Sequence, residues 1–169
     1  PDLCTWAETR VEIELEGRHN EATTAAIDAF RIVLHPRSGG HELVVREPKR
    51  SGFRLREPQI TVRVRCPEGT ALSVSGGSSD VRTDGVLGVV ELKTGSGDVT
   101  LGGVVASGRL TSASGDIEID AVDGAATVTT ASGDISVGRV GGDLVVSAVS
   151  GDVLVRDARG TASVQSVSG

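Results

Sequence analysis

From residue 80 onward, apolar and polar positions recur with a period of 18 residues, marked by Asp80, Asp98, Asp116, Asp134 and Asp152. Such fixed-period self-similarity signals a stacked repeat architecture. The marker is Thr94-Gly-Ser-Gly-Asp-Val, and it returns as Ala113-Ser-Gly-Asp-Ile, Ala131-Ser-Gly-Asp-Ile and Val149-Ser-Gly-Asp-Val. One residue after each Asp stand Val81, Val99, Ile117, Ile135 and Val153, and three after stand Thr83, Leu101, Ile119, Val137 and Val155. The residues between are Arg82, Thr100, Glu118, Ser136 and Leu154, so most copies alternate apolar with polar, the pattern of a strand with one buried face. A third column follows at Val86, Val104, Val122, Val140 and Ala158, with a turn column two residues later at Gly88, Ala106, Gly124, Gly142 and Gly160. A second strand then carries Leu92, Leu110, Val128, Val146 and Val164, and small Ser, Thr and Ala residues lead back to Ser-Gly-Asp.

Two short strands and two tight turns cannot enclose a core, but like coils stacked on one another can share one. The pattern predicts an all-β fold, a parallel β-solenoid with 18-residue coils about 4.8 Å apart, right-handed by the rule for parallel crossovers. The four main apolar columns supply about 6–12 kcal/mol per coil at about 1.5–3 kcal/mol for each buried side chain. Ordering a coil costs a comparable amount of conformational entropy, so a lone coil is expected to be unfolded.

Residues 1–77 read differently. Val11, Ile13 and Leu15 alternate with Glu12, Glu14 and Glu16, which predicts a half-buried strand ended by Gly17. Asn20 is a candidate N-cap for a short helix near 21–28, with Glu21 in its first turn. Phe30, Ile32 and Leu34 return to period two, and His35-Pro-Arg-Ser-Gly-Gly leads to Leu43-Val-Val, a hairpin pattern. Ile60, Val62 and Val64 form another alternating strand before a Pro-Glu-Gly turn at 67–69. We read 1–77 as opening coils plus a cap, in one continuous domain with the regular coils of 78–169. The cap is expected to cover the strand edge that a solenoid otherwise leaves open to association. At the other end the repeat stops at Val167-Ser-Gly, which predicts either further coils or end-to-end self-association.

Composition narrows the function classes. The chain has 169 residues, is 38% hydrophobic and 24% charged, suits one cored domain, and has no apolar run near the roughly 20 residues of a membrane helix. Pro1 is not an initiator residue, so a targeting segment could precede it, and compartment, envelope or cytoplasm, stays open. Residues 1–77 carry 11 Lys/Arg and 11 Asp/Glu while 78–169 carry 6 and 12, which puts the whole net charge of −6 on the repeats. All the aromatic, His and Cys residues lie before residue 78.

Candidate chemistry is sparse. Five carboxylates about 5 Å apart in a column repel unless each is solvated, hydrogen-bonded or bridged by a cation. The preferred reading is hydrogen bonding to N–H groups of the turn, with calcium at Asp98, Asp116, Asp134 and Asp152 as the alternative. The acidic cluster Asp116, Glu118 and Asp120 alternates with inward Ile117 and Ile119, as any solvated strand face does. No long loop forms a cleft, and the histidines stand apart at 19, 35 and 41, so neither a nucleophile triad nor a His pair at metal spacing exists. The expectation is a non-enzyme. Lys93, Thr111, Thr129, Ser147 and Gln165 form a polar ladder, too interrupted by Lys93 and Gln165 for a flat ice-binding face. The basic concentration is Arg46, Lys49, Arg50, Arg54, Arg56, Arg63 and Arg65, either a solvated face or a patch for an anionic polymer or headgroup. Nucleic acid is not expected as a partner, because the net charge is negative and no aromatic stacking platform accompanies the arginines. Cys4 and Cys66 could form one disulfide or remain free thiols.

The repeat Ser-Gly-Asp-Val/Ile...Val-x-Gly-x-x-x-Val-x-Thr/Ser, preceded by Pro-Glu-Gly, resembles the bacterial adhesin-like β-strand-repeat family, related to toast-rack domains, over residues 20–169. The resemblance implies a parallel β-solenoid and suggests a link to the cell envelope and its stress responses, with no catalytic residues to carry over. Ser79, Ala106 and Ala158 depart from the repeat in single coils. The expected role is a binding or scaffold module for a protein or envelope polymer, displaying one side chain every 18 residues. An assembly component that docks partners at the solenoid ends is the second reading, and a polysaccharide-acting enzyme the third.

Overall fold

The computed structural model describes residues 2–6, 12–17, 31–37, 40–46 and 60–168. Every element among them is a strand: β1 (Asp2–Trp6), β2 (Glu12–Gly17), β3 (Arg31–Arg37), β4 (Gly40–Arg46), β5 (Ile60–Pro67), β6 (Ala71–Ser78), β7 (Val81–Ser96) and β8 (Val99–Ser114), then β9 (Ile117–Val122), β10 (Ala125–Ser132), β11 (Ile135–Val140), β12 (Leu144–Ser150), β13 (Val153–Ala158) and β14 (Ala162–Ser168). The predicted helix near 21–28 lies outside the described residues.

The parallel solenoid is present, with about five coils in an 18-residue register. Two rows of strands run along the stack. One row is β2, β5, β1, β7, β8, β9, β11, β13, and the other is β3, β4, β6, β7, β8, β10, β12, β14. Strands β7 and β8 belong to both rows, because each runs unbroken for 16 residues through the expected turn column. In later coils the turn separates two strands, as at 123–124 and 141–143.

Stacking register sets which side chains point inward. Val81, Val99, Ile117 and Ile135 are aligned, as are Thr83, Leu101, Ile119 and Val137, and all eight are buried. Leu92, Leu110, Val128 and Val146 form a matching buried column in the other row. Two further inward columns join them. Val90, Ala126 and Leu144 are buried around Gly108, and Thr94, Ser112 and Thr130 are buried at the corner. These three hydroxyls hydrogen-bond carbonyls two residues on, at Ser96, Ser114 and Ser132, over 2.8–3.1 Å, which satisfies the polar atoms where no water reaches.

The first regular coil departs from the period. Leu87, not Val86, stands in register with Val104, and the pairing slips between Thr83 and Val86 and again between Leu87 and Val89. Leu87 is fully buried while Val86 is 37% exposed, so the third column begins at Leu87. Thr83 keeps its aliphatic neighbours because its Oγ1 accepts the Gly102 N–H at 3.3 Å.

The N-terminal segment is woven into the stack. Strand β1 lies parallel between β5 and β7, and β2 lies antiparallel on the far side of β5. In the other row β3 and β4 form the expected antiparallel hairpin, tighter than its sequence suggested: His35 and Pro36 pair with Glu42 and His41 inside the ladder. Strand β4 then continues the parallel stack onto β6. Both rows therefore end in a strand of reversed direction, and Leu43, Val64, Cys66, Leu72 and Val74 extend the same core beneath them. The entry from β5 into β6 is a turn at Pro67-Glu-Gly-Thr in which Gly69 has φ +75° and Thr70 Oγ1 bonds the Pro67 carbonyl at 2.7 Å.

Candidate functional site

The aspartate corner is the most regular feature of the surface. Asp98, Asp116, Asp134 and Asp152 each follow a glycine at φ between +113° and +121°, at Gly97, Gly115, Gly133 and Gly151, a backbone region that side-chain-bearing residues avoid. A Cβ on Gly115 would also collide with the Gly97 carbonyl of the preceding coil. This turn delivers the next backbone N–H to the carboxylate one coil back. Asp98 N donates to Asp80 Oδ1 at 3.0 Å, Asp116 N to Asp98 Oδ1 at 3.0 Å, Asp134 N to Asp116 Oδ1 at 2.9 Å, and Asp152 N to Asp134 Oδ1 at 2.9 Å. The bonds thus run between coils and not within each turn, because the stacked N–H lies along the solenoid axis above the carboxylate. At the opposite corner Thr161 N donates to Asp143 Oδ1 at 2.9 Å in the same way. Each N–H dipole offsets part of the repulsion along the column, and a charged acceptor strengthens the bond. The Oδ1 atoms of Asp80, Asp98, Asp116 and Asp134 thus act as clips between coils, and among the described residues no group of three or more His, Cys, Asp or Glu side chains converges.

The acidic cluster is dispersed: Asp116, Glu118 and Asp120 are exposed around buried Ile117 and Ile119. The basic residues are divided. Arg46 lies on β4 in one row, in register with Arg31 and Ser75. Arg63 and Arg65 lie on β5 in the other row, exposed, in register with Glu14 and Glu12 of β2 and with Asp2 and Cys4 of β1. Both have interaction partners. Lys49, Arg50, Arg54 and Arg56 lie outside the described residues. Cys66 is fully buried, in register with Thr5.

One groove stands on the second row. It measures about 450 Å³ and lies among the outward residues Val89, Glu91, Ser107, Arg109, Ala125 and Thr127. Glu91 accepts a 2.9 Å salt bridge from Lys93. That hydrogen bond, then the Lys93 charge, then the charge of Arg109 hold its carboxyl below the ordinary value against slight desolvation. The polar ladder lies in register from Lys93 through Thr111, Thr129 and Ser147 to Gln165.

The chemistry of these surfaces is hydrogen bonding and charge, displayed at fixed spacing. The sequence profile of the Toastrack DUF4097 family matches residues 12–169. No curated protein and no solved structure matches the chain. No helix among the described residues is long and apolar enough to cross a membrane.

Proposed function

Since the chain belongs to the Toastrack DUF4097 family and its coils stack in register, we propose that it is a non-catalytic scaffold whose outward side chains hold a repetitive partner, adhesin-like, at the bacterial cell envelope. The observation that carries this reading is the 18-residue register maintained from β8 to β14 without an insertion. Corresponding side chains then stand about 4.8 Å apart, and contacts too weak to hold one unit add along a polymer. The repeats carry the net charge of −6, which favours partners with cationic or hydroxyl groups and leaves anionic polymers to the arginines of the N-terminal segment.

Co-sedimentation with bacterial wall and membrane fractions, at low and high salt, tests the reading. Pelleting with affinity that rises with polymer length supports it, and release by high salt would assign the contact to charged residues such as Arg63 and Arg65. A chain that stays in the supernatant with both fractions at both salt concentrations would remove the envelope role.

A further inference from the structure

Aspartate recurs through the stack, and its backbone surroundings decide what chemistry its carboxyl can undergo. The amide nitrogen of the following residue can attack Cγ and close a five-membered succinimide ring. That closure needs a carboxylate held by nothing else and an amide N–H outside any hydrogen bond. It is fastest when the following residue has no Cβ to crowd the ring, which means glycine.

The corner aspartates fail on every count. Oδ1 of Asp80, Asp98, Asp116 and Asp134 each accepts an N–H from the next coil. The amides after them are engaged as well: Val81 N donates to Asp98 O, Val99 N to Asp116 O, Ile117 N to Asp134 O and Ile135 N to Asp152 O, over 2.8–2.9 Å. All four belong to β-branched residues, as does Val153 after Asp152. Asp143 is held in the same two ways, with Thr161 N on its Oδ1 and Leu144 N donating to the Thr161 carbonyl. Asp120 and Asp157 stand inside β9 and β13. Asp84 does precede a glycine, Gly85, but it lies inside β7 in register with Cys4 of β1 and has an interaction partner.

Asp123 differs. It is exposed in the two-residue link between β9 and β10, and Gly124 follows it. The link is pinned at both ends, since Asp123 N donates to Val104 O at 2.8 Å and Gly124 O accepts from Gly142 N at 3.0 Å. Between those points, and among the described residues, neither the Asp123 carboxylate nor the Gly124 N–H has a hydrogen-bond partner. We propose that the Asp123-Gly124 pair is a site of spontaneous backbone isomerisation, at which Asp123 converts to isoaspartate within the folded chain. The Gly124 nitrogen bonds to Cγ of Asp123, and the amide proton leaves with the carboxyl oxygen as water. Water then opens the ring. Attack at Cγ restores aspartate, and attack at the main-chain carbonyl releases that carboxylate and leaves the chain running through Cγ. No atom is gained or lost overall, and no oxidant or cofactor takes part. The product inserts the Cβ of Asp123 into the backbone between two pinned groups, so the link outgrows the spacing set by its neighbours and the corner between β9 and β10 loosens.

Ageing the full chain in neutral buffer at physiological temperature tests the site. Trypsin places the two Asp-Gly pairs on different peptides, Thr83–Lys93 and Leu110–Arg139, and electron-transfer fragmentation locates isoaspartate within each. In the folded chain it should accumulate at Asp123 at least about tenfold faster than at Asp84, the factor that corresponds to about 1.4 kcal/mol for releasing Asp84 from its surroundings. In urea the two identical dipeptides should convert at similar rates. Asp123→Glu, whose longer side chain requires a six-membered ring, should abolish the signal, and Asp123→Asn should hasten it, with ammonia leaving in place of water. The isomerised fraction, separated by ion exchange, should melt below the native one. Folded-state conversion at Asp84 equal to that at Asp123 would overturn the proposal. So would a folded chain that keeps Asp123 intact over the period in which the unfolded chain converts, and equal melting temperatures would overturn the loosening of the corner.

Discussion

Asp116 sits between two bonds of the corner ladder: its N–H donates to Asp98 Oδ1 and its own Oδ1 accepts from Asp134 N at 2.9 Å. Asp116→Ala keeps the first bond and removes the second. The orphaned Asp134 N–H lies at an exposed corner where water can replace the carboxylate, so the loss is the net value of one hydrogen bond, about 1 kcal/mol, and not the larger penalty of a buried orphan. Asp116→Asn keeps an Oδ1 acceptor at the same place and removes a like charge from a column spaced about 4.8 Å, so it should fall within about 0.5 kcal/mol of wild type. Urea unfolding with unchanged m-value measures both, and a domain of this size should lose about 2–4 °C in Tm for the alanine variant.

The comparison isolates the mechanism because the two variants delete the charge equally and the acceptor unequally. If the ladder held calcium, millimolar Ca²⁺ would raise the wild-type Tm and the asparagine variant would lose that gain. If the clips stabilise by hydrogen bonding, Ca²⁺ leaves wild type unchanged and alanine alone is costly. An alanine variant as stable as wild type, or an asparagine variant as unstable as alanine, would refute the inter-coil bond as the reason for the aspartate period.

Two other substitutions probe the turn and the slipped coil. Leu87→Ala should cost about 2–4 kcal/mol, as large-to-small changes at fully buried sites do, while Val86→Ala should stay within about 0.5 kcal/mol; chemical denaturation giving equal costs would contradict the register at Leu87 and Val104. Gly115→Ala places a Cβ at φ +113° and against the Gly97 carbonyl, so about 2 kcal/mol or more should be lost, and an unaffected melting temperature would contradict the turn geometry.

The repeat was legible because an in-register stack makes every coil solve the same packing problem. Ile117 and Ile135 are alike since each packs against the other's position, and the 18-residue period reports that contact directly. Columns built from dissimilar side chains were not legible. Thr94, Ser112, Thr130 and Ala148 read as small residues leading back to the turn, yet all four are buried, because the three hydroxyls satisfy themselves against nearby carbonyls and Ala148 has none to satisfy. The slip at Val86 and Leu87 was hidden by two adjacent aliphatic residues, either of which suits a core. The insertion of β1 between β5 and β7 depends on pairings about 60 and 80 residues distant in sequence, and a five-residue strand carries too little pattern to announce them. The aspartates were visible as a column, but the donor to each carboxylate belongs to another coil, which only stacking reveals. Grouping Arg46 with Arg63 and Arg65 relied on proximity in sequence, and consecutive strands of a solenoid lie on different rows.

Stacking identical coils carries an electrostatic cost that the sequence visibly manages. Any charge repeated at one outward position meets its copy about 4.8 Å away. On the strand faces the columns avoid this: Arg82 is followed by Thr100, then Glu118, Ser136 and Leu154, and Glu91 is followed by Arg109 and then Thr127. Consecutive like charges persist at the aspartate corner, where Asp80, Asp98, Asp116 and Asp134 each receive an N–H from the next coil. The contrast predicts a sign. Ser136 lies between Glu118 and Leu154 in register, so Ser136→Glu adds a like charge directly beside Glu118 with no N–H to compensate. It should be less stable than Ser136→Lys by about 0.5–1 kcal/mol, the scale of cross-strand charge pairs. The gap should shrink in 1 M NaCl, where screening acts within about 3 Å, and osmotic or hydrophobic effects of salt cancel between two variants of one site. Equal stabilities at low salt would mean that the faces tolerate stacked charge, and the aspartate column would then need no hydrogen bond to explain it.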